Sequence, residues 1–221
     1  MRLFDTELKE LRDGIMAMAG VAEEMIDLTI QALTEPSPAK AEQVNLLDRR
    51  MDEWELKLDQ QCIDLLALHS PAASDLRRIA SSLKIIPELE RIGDHCCNIA
   101  RRVSLVHPPI LAGNDLEQLG TETRNMVRRA VDAFVSSDAA LAQAVILSDD
   151  SVDALYGKIY RDLLRIMLAD PLCIERASHL ILVIKNWERI ADEATNIAEE
   201  VLFILEGRNA KHPYLRGNSV E

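Results

Sequence analysis

Residues 90–100 read Glu90-Arg91-Ile92-Gly93-Asp94-His95-Cys96-Cys97-Asn98-Ile99-Ala100, and residues 188–198 read Glu188-Arg189-Ile190-Ala191-Asp192-Glu193-Ala194-Thr195-Asn196-Ile197-Ala198. Seven of the eleven positions are identical, 98 residues apart. The repetition extends towards the N-terminus at a slightly larger spacing. Met18, Met25-Ile26 and Ala32-Leu33 meet Leu119, Met126-Val127 and Ala133-Phe134, 101 residues on. Asp48, Met51-Asp52 and Leu58 meet Asp149, Val152-Asp153 and Ile159 at that same spacing. The three-residue difference falls where His69-Ser70-Pro71-Ala72-Ala73-Ser74 faces the shorter Asp170-Pro171. Surface turns tolerate length changes that packed elements do not, so the chain reads as a duplicated domain.

Apolar residues recur at helical spacing, as in Leu8, Leu11, Ile15, Met18 and then Val21, Met25, Leu28, Ala32. Breakers fall at Glu35-Pro36-Ser37-Pro38, Ser70-Pro71, His107-Pro108-Pro109, Ser136-Ser137-Asp138 and Asp170-Pro171. The pattern predicts an all-α protein of six long helices over 5–33, 39–69, 73–106, 114–136, 138–169 and 172–206. Short turns between long rods make each half an antiparallel three-helix bundle. The expected units are residues 1–108, residues 109–208 and a polar tail at 209–221, expected to be partly disordered. Asp115, Ser137 or Asp138, and Asp170 are the expected helix N-terminal signals. The short connection at 107–114, stiffened by prolines, predicts bundles packed side by side.

The 221 residues carry 25 Lys+Arg against 37 Asp+Glu, a net charge of −12, with 8 Gly and 8 Pro. That balance disfavours nucleic acid, whose affinity rests on cations neutralising phosphates. The richest apolar run, Leu180–Ile184, is too short to span a bilayer, and the acidic start is unlike a secretory signal. A soluble cytoplasmic protein without membrane insertion is the expectation. Cys62, Cys96, Cys97 and Cys173 show no CxxC or zinc-type spacing and read as structural thiols.

The chemistry sits on the third helix of each half. At about 100° per residue, Glu188 falls within the stripe of Ala177, Ile181, Ile184, Ala191, Thr195 and Leu202, with Asp192 on its flank. Glu90 and Asp94 occupy the same places among Ile79, Leu83, Ile86, Gly93 and Cys97. Two carboxylates one turn apart repel each other, and more so near apolar surface, unless a cation lies between them. Salt bridges would relieve this, with Arg91, Arg189 and Lys185 at hand. A bound metal ion would also relieve it, and duplication brings the two readings level. Oxygen-only donors suit hard cations such as Mg²⁺, Mn²⁺ or ferric iron. His95, Glu193, Asp52 and Asp153 are weaker candidates to extend such sites. A second stripe, Ile92, Ile99 and Val106, echoed by Ile190, Ile197 and Ile204, faces roughly the other way. It predicts contact between bundles or between subunits, leaving the acids on a shallow surface.

Leu89-Glu90-Arg91-Ile92-Gly93-Asp94 and its second copy, with Ser74-Asp75-Leu76-Arg77-Arg78-Ile79 and Glu7-Leu8-Lys9-Glu10-Leu11-Arg12-Asp13, resemble the PhoU family of phosphate-transport regulators. The resemblance spans about residues 5–208. It implies a non-enzymatic cytoplasmic homodimer, near the inner membrane, that links a phosphate ABC importer through its ATPase subunit to a sensor histidine kinase. Such proteins hold the phosphate-starvation response off and restrain uptake. The resemblance also implies that Glu90, Asp94, Glu188 and Asp192 bind metal, with iron or zinc clusters in some members and divalent ions in others. Two departures stand out. Trp187 replaces the expected leucine, and Pro87 lies inside the third helix, where it removes the partner of the Leu83 carbonyl and is expected to kink the first site, making it unlike the second and less suited to hold metal. The alternatives are a metal-free helical scaffold and a carboxylate-bridged metal enzyme. The latter wants Glu-x-x-His, but Gly93 and Ala191 stand three residues after the glutamates.

Overall fold

The computed structural model describes residues 3–35, 37–108, 110–111 and 113–207. All regular structure in the described residues is helical: α1 (Leu3–Thr34), α2 (Pro38–Leu68), α3 (Ala73–Ala100), α4 (Asp115–Ser136), α5 (Ala139–Ala169) and α6 (Ile174–Glu206). Helices α1–α3 pack as one three-helix bundle and α4–α6 as another. The tail expected at 209–221 lies outside the described residues.

Each helix buries the stripe that its periodicity marks. In α1, Leu11, Ile15, Met18, Ala22, Met25 and Ile26 are all buried. The bundles meet along two seams, α3 against α6 and α1 against α4. Ile92, Ile99, Ile190 and Ile197 are inaccessible to solvent, so the second stripe serves contact between the two halves of one chain. Trp187 is wholly enclosed at the other seam, where its Nε1 donates to Thr29 Oγ1 at 3.4 Å and its carbonyl accepts from Thr123 Oγ1 at 3.4 Å. Close approach there requires Gly120, since a β-carbon would lie 2.7 Å from Ile30 Cγ1 and 3.0 Å from Trp187 Cζ2.

Two local expectations change. Helix α3 stops at Ala100 instead of reaching 106. Its final turn tightens as Arg102 N–H bonds the Ile99 carbonyl, and a 3₁₀ turn, Val103–Leu105, follows. Val106 still reaches the core beyond that turn. Asp115 is the first residue of α4 and caps nothing; its carboxylate pairs with Lys158 at 2.7 Å. Asp138 does cap α5, accepting from Leu141 N–H at 3.0 Å, and Asp170 accepts from Leu172 N–H in the turn before α6. Pro87 is accommodated within a continuous α3.

Candidate functional site

Helices α2 and α3 bring five carboxylates to one outward face of the first bundle. Asp48, Asp52 and Glu55 come from α2, and Glu90 and Asp94 from α3. The second bundle repeats the arrangement with Asp149 and Asp153 from α5, and Glu188 and Asp192 from α6. In each pair on the third helix the glutamate is half-buried and the aspartate is exposed. Asp52 and Asp153 therefore do face the third-helix acids. Asp48, Asp149 and Glu55 also belong to the sites, although the sequence reading did not select them. The signal for two of them was present, because Asp48/Asp52 and Asp149/Asp153 repeat the one-turn spacing of the third-helix couples.

The crowding shows in the proton affinities. Burial, reinforced by Asp94, Glu55, Asp52 and Asp48, pushes the Glu90 carboxyl from an ordinary 4.5 up to about 7. Asp192 is pushed to about 6, by burial first and then by Glu188 and Asp149. Asp48 is raised by burial, although the Cys97 thiol donates a hydrogen bond to it, and that same environment lifts the Cys97 thiol to about 12. Cys62, Cys96 and Cys97 are buried free thiols.

The two sites differ in how their charge is balanced. Lys185 Nζ lies 2.6 and 2.5 Å from the two Glu188 oxygens, so the second site carries its own cation. The residue in that repeat position of the first bundle is Pro87. Arg91, adjacent to Glu90 in sequence, turns away to pair with Glu88 and, at 3.2 Å, with Glu193. Among the described residues no cation forms an ion pair with Glu90 or Asp94; Arg101 acts only at a distance, on Asp48. A kink was the difference expected of Pro87; α3 is continuous through it, and what sets the first site apart is the lysine that this position lacks. Tyr156 also replaces Glu55 in the second site, where Lys185 lies 5.6 Å from its ring.

His95 and Glu193 extend neither site. They turn about 100° away from the acid couples and into the α3–α6 seam. His95 Nδ1 lies 3.2 Å from Asn186 Oδ1, and Glu193 bonds Arg91 and, at 3.1 Å, Asn196. Burial lowers the proton affinity of His95. Further along this seam, buried Glu200 accepts from Ser81 and Lys84. Glu88, buried and hydrogen-bonded with Glu193, is pushed to about 7 despite Arg91.

The donors fit a hard, hydrated cation. They are oxygens, and the first cluster has unbalanced charge for a cation to neutralise. Among the described residues, no three His, Cys, Asp or Glu donors stand already arranged around one point. An ion would therefore keep much of its water and use one or two carboxylates, as Mg²⁺ usually does.

Two tandem three-helix bundles, each presenting an acid couple on its third helix, define an all-α protein of duplicated helical domains with an acidic face on each. The PhoU domain matches twice, at residues 15–103 and 116–201. The chain belongs to the PhoU family, whose members are accessory regulators and not enzymes. It is 37% identical to the phosphate-specific transport system accessory protein PhoU homolog of Pseudomonas putida, covering 99% of this chain and 86% of that one. The Aquifex aeolicus homolog is 38% identical, with 98% of each chain covered. The crystal structure of PhoU from Pseudomonas aeruginosa superposes with a TM-score of 0.88 at 36% identity, over 93% of this chain and all of that one. The phosphate transport system regulatory protein PhoU from Streptococcus pneumoniae gives 0.88 at 27% identity, over 93% and 98%. No described helix is long and apolar enough to cross a membrane.

Proposed function

We propose that this protein is a cytoplasmic negative regulator of phosphate uptake and phosphate-starvation signalling. It acts as a homodimeric adaptor between the ATPase subunit of a phosphate ABC importer and a sensor histidine kinase. The observation that carries the regulatory reading is identity over nearly the full length to proteins named for phosphate-specific transport. Deleting the gene tests it. Phosphate-uptake genes are expected to be expressed in phosphate-replete cells and silenced again by the restored wild-type gene; unchanged repression would refute the reading.

The acidic faces are the proposed metal sites, for a divalent or ferric ion among Mg, Mn, Fe and Zn. Glu90 and Asp94, backed by Asp48, Asp52 and Glu55, make the stronger one, because no cation among the described residues pairs with them. At the second site the Lys185–Glu188 pair favours a metal-free reading. Metal analysis of protein purified without chelators separates the two. Glu90→Ala/Asp94→Ala is expected to lose most of the bound metal, and Glu188→Ala/Asp192→Ala less. Equal metal content in the first variant and the wild type would end the assignment.

A further inference from the structure

A second acidic surface lies on the opposite edge of α2 from the acid cluster. Helices α1 and α2 enclose an open groove of about 640 Å³. Glu7, Glu10, Asp13 and Asp64 ring it, over a floor that includes Trp54 and the largely exposed Leu68. Its lysine, Lys57, is drawn over the Trp54 ring at 4.6 Å. Glu7 lies 2.8 Å from His69, and Asp13 has only long, exposed contacts to Lys9 and Arg12 at 3.9 and 3.7 Å. Asp64 accepts from the Gln60 amide but meets no cation, and Glu10 has neither among the described residues.

In a chain of net charge −12 an acidic patch alone says little, but the repeat supplies an internal comparison. The α5 positions matching Gln60 and Asp64 are Arg161 and Arg165, both exposed, and Leu111 and Asn114 match Glu10 and Asp13. Leu111 and Asn114 precede α4, which begins at Asp115, so the groove, its charge and its tryptophan have no counterpart in the described residues of the second bundle.

The geometry points to this groove as the docking site for a cationic amphipathic helix of a partner protein. Residues 54–68 of α2 extend about 21 Å at 1.5 Å per residue, the length of a helix of roughly 14 residues. The apolar floor would take the leucine-type face of such a helix and the carboxylates its flanking lysines or arginines. The inference rests on the adaptor reading, for which it supplies one partner surface. It is tested in vitro, so a missing phosphate phenotype and a missing interaction are distinguishable.

The probe is a fluorescein-labelled, 14-residue leucine–lysine amphipathic peptide, titrated with the full chain at moderate salt and followed by anisotropy. Glu10→Lys/Asp64→Lys is expected to raise Kd about tenfold or more. Arg161→Glu/Arg165→Glu, which acidifies the matching exposed positions of α5, where no such groove exists among the described residues, is expected to keep Kd within twofold. Trp54 emission should shift on binding, read in a Trp187→Phe background or, if that variant unfolds, as a signal that Trp54→Phe abolishes. Equal affinity in the two charge variants, or an unmoved Trp54 signal, overturns the proposal. A change in sedimentation of the Glu10→Lys/Asp64→Lys protein without peptide also overturns it, because the occupant would then be a second copy of the chain.

Discussion

Replacing Glu90 by glutamine should stabilise the metal-free protein, whereas the same change at Glu188 should weaken it. Glu90 accepts no hydrogen bond from the described residues, and its neighbours Asp94, Glu55, Asp52 and Asp48 all act against its charge. A carboxyl raised from 4.5 to about 7 corresponds to roughly 3 kcal/mol against the charged form, at about 1.4 kcal/mol per pH unit. Solvent screening at this half-exposed position leaves about 1 kcal/mol. The folded state holds this proton more tightly than the unfolded chain, so stability falls as pH rises from about 4.5 to 7. Glu90→Gln should match the wild type near pH 4.5 and exceed it at pH 8 by about 1 kcal/mol, or about 2–4 °C in Tm for a chain of this size. Glu188→Gln loses the lysine pair and should cost about 0.5–1 kcal/mol at pH 8. Chemical denaturation in chelator at pH 4.5, 6 and 8 measures both. A destabilised Glu90→Gln protein at pH 8, or equal shifts of one sign for the two variants, would refute the account of an unpaired glutamate in one half and a lysine-paired one in the other.

Gly120→Ala forces a β-carbon against Ile30 and Trp187 at the α1–α4 seam and should destabilise by about 1–3 kcal/mol, read as a lowered Tm. Arg91→Met leaves Glu88 and Glu193 facing each other without their shared cation. The expected loss is about 2 kcal/mol at pH 8, shrinking as pH falls below about 7, where a protonated Glu88 donates to Glu193; urea titrations at the two pH values measure it. Asp138→Ala removes the α5 cap and should cost about 1 kcal/mol, with faster amide exchange at Leu141.

The duplication and the prolines made the six helices legible, because long amphipathic segments between breakers have few other ways to pack. The end of α3 was not legible. Val106 continues the apolar period, so nothing in the pattern distinguishes a helix that stops at Ala100 and returns through a 3₁₀ turn. Half of the acid cluster was visible as a couple on one helix. Asp48, Asp149 and Glu55 join it by packing between helices; repeat spacing was an available clue for the two aspartates, while Glu55, matched by Tyr156, offered none. His95 and Glu193 drew attention by adjacency in sequence, yet one step along a helix turns a side chain into a different environment. The pairing of Arg91 was invisible for the same reason: its partners, Glu88 and Glu193, lie one turn back and across the seam.

The lysine at position 185 is a counterion fixed by a covalent bond. It does not dilute away or exchange with the medium, so the Glu188 carboxylate keeps a counterion whatever the ionic conditions. The α2–α3 face has proline in that place, and Glu90 has no tethered cation of this kind among the described residues. One polypeptide thus carries two acid couples at matching places, one with a counterion built into the chain and one without.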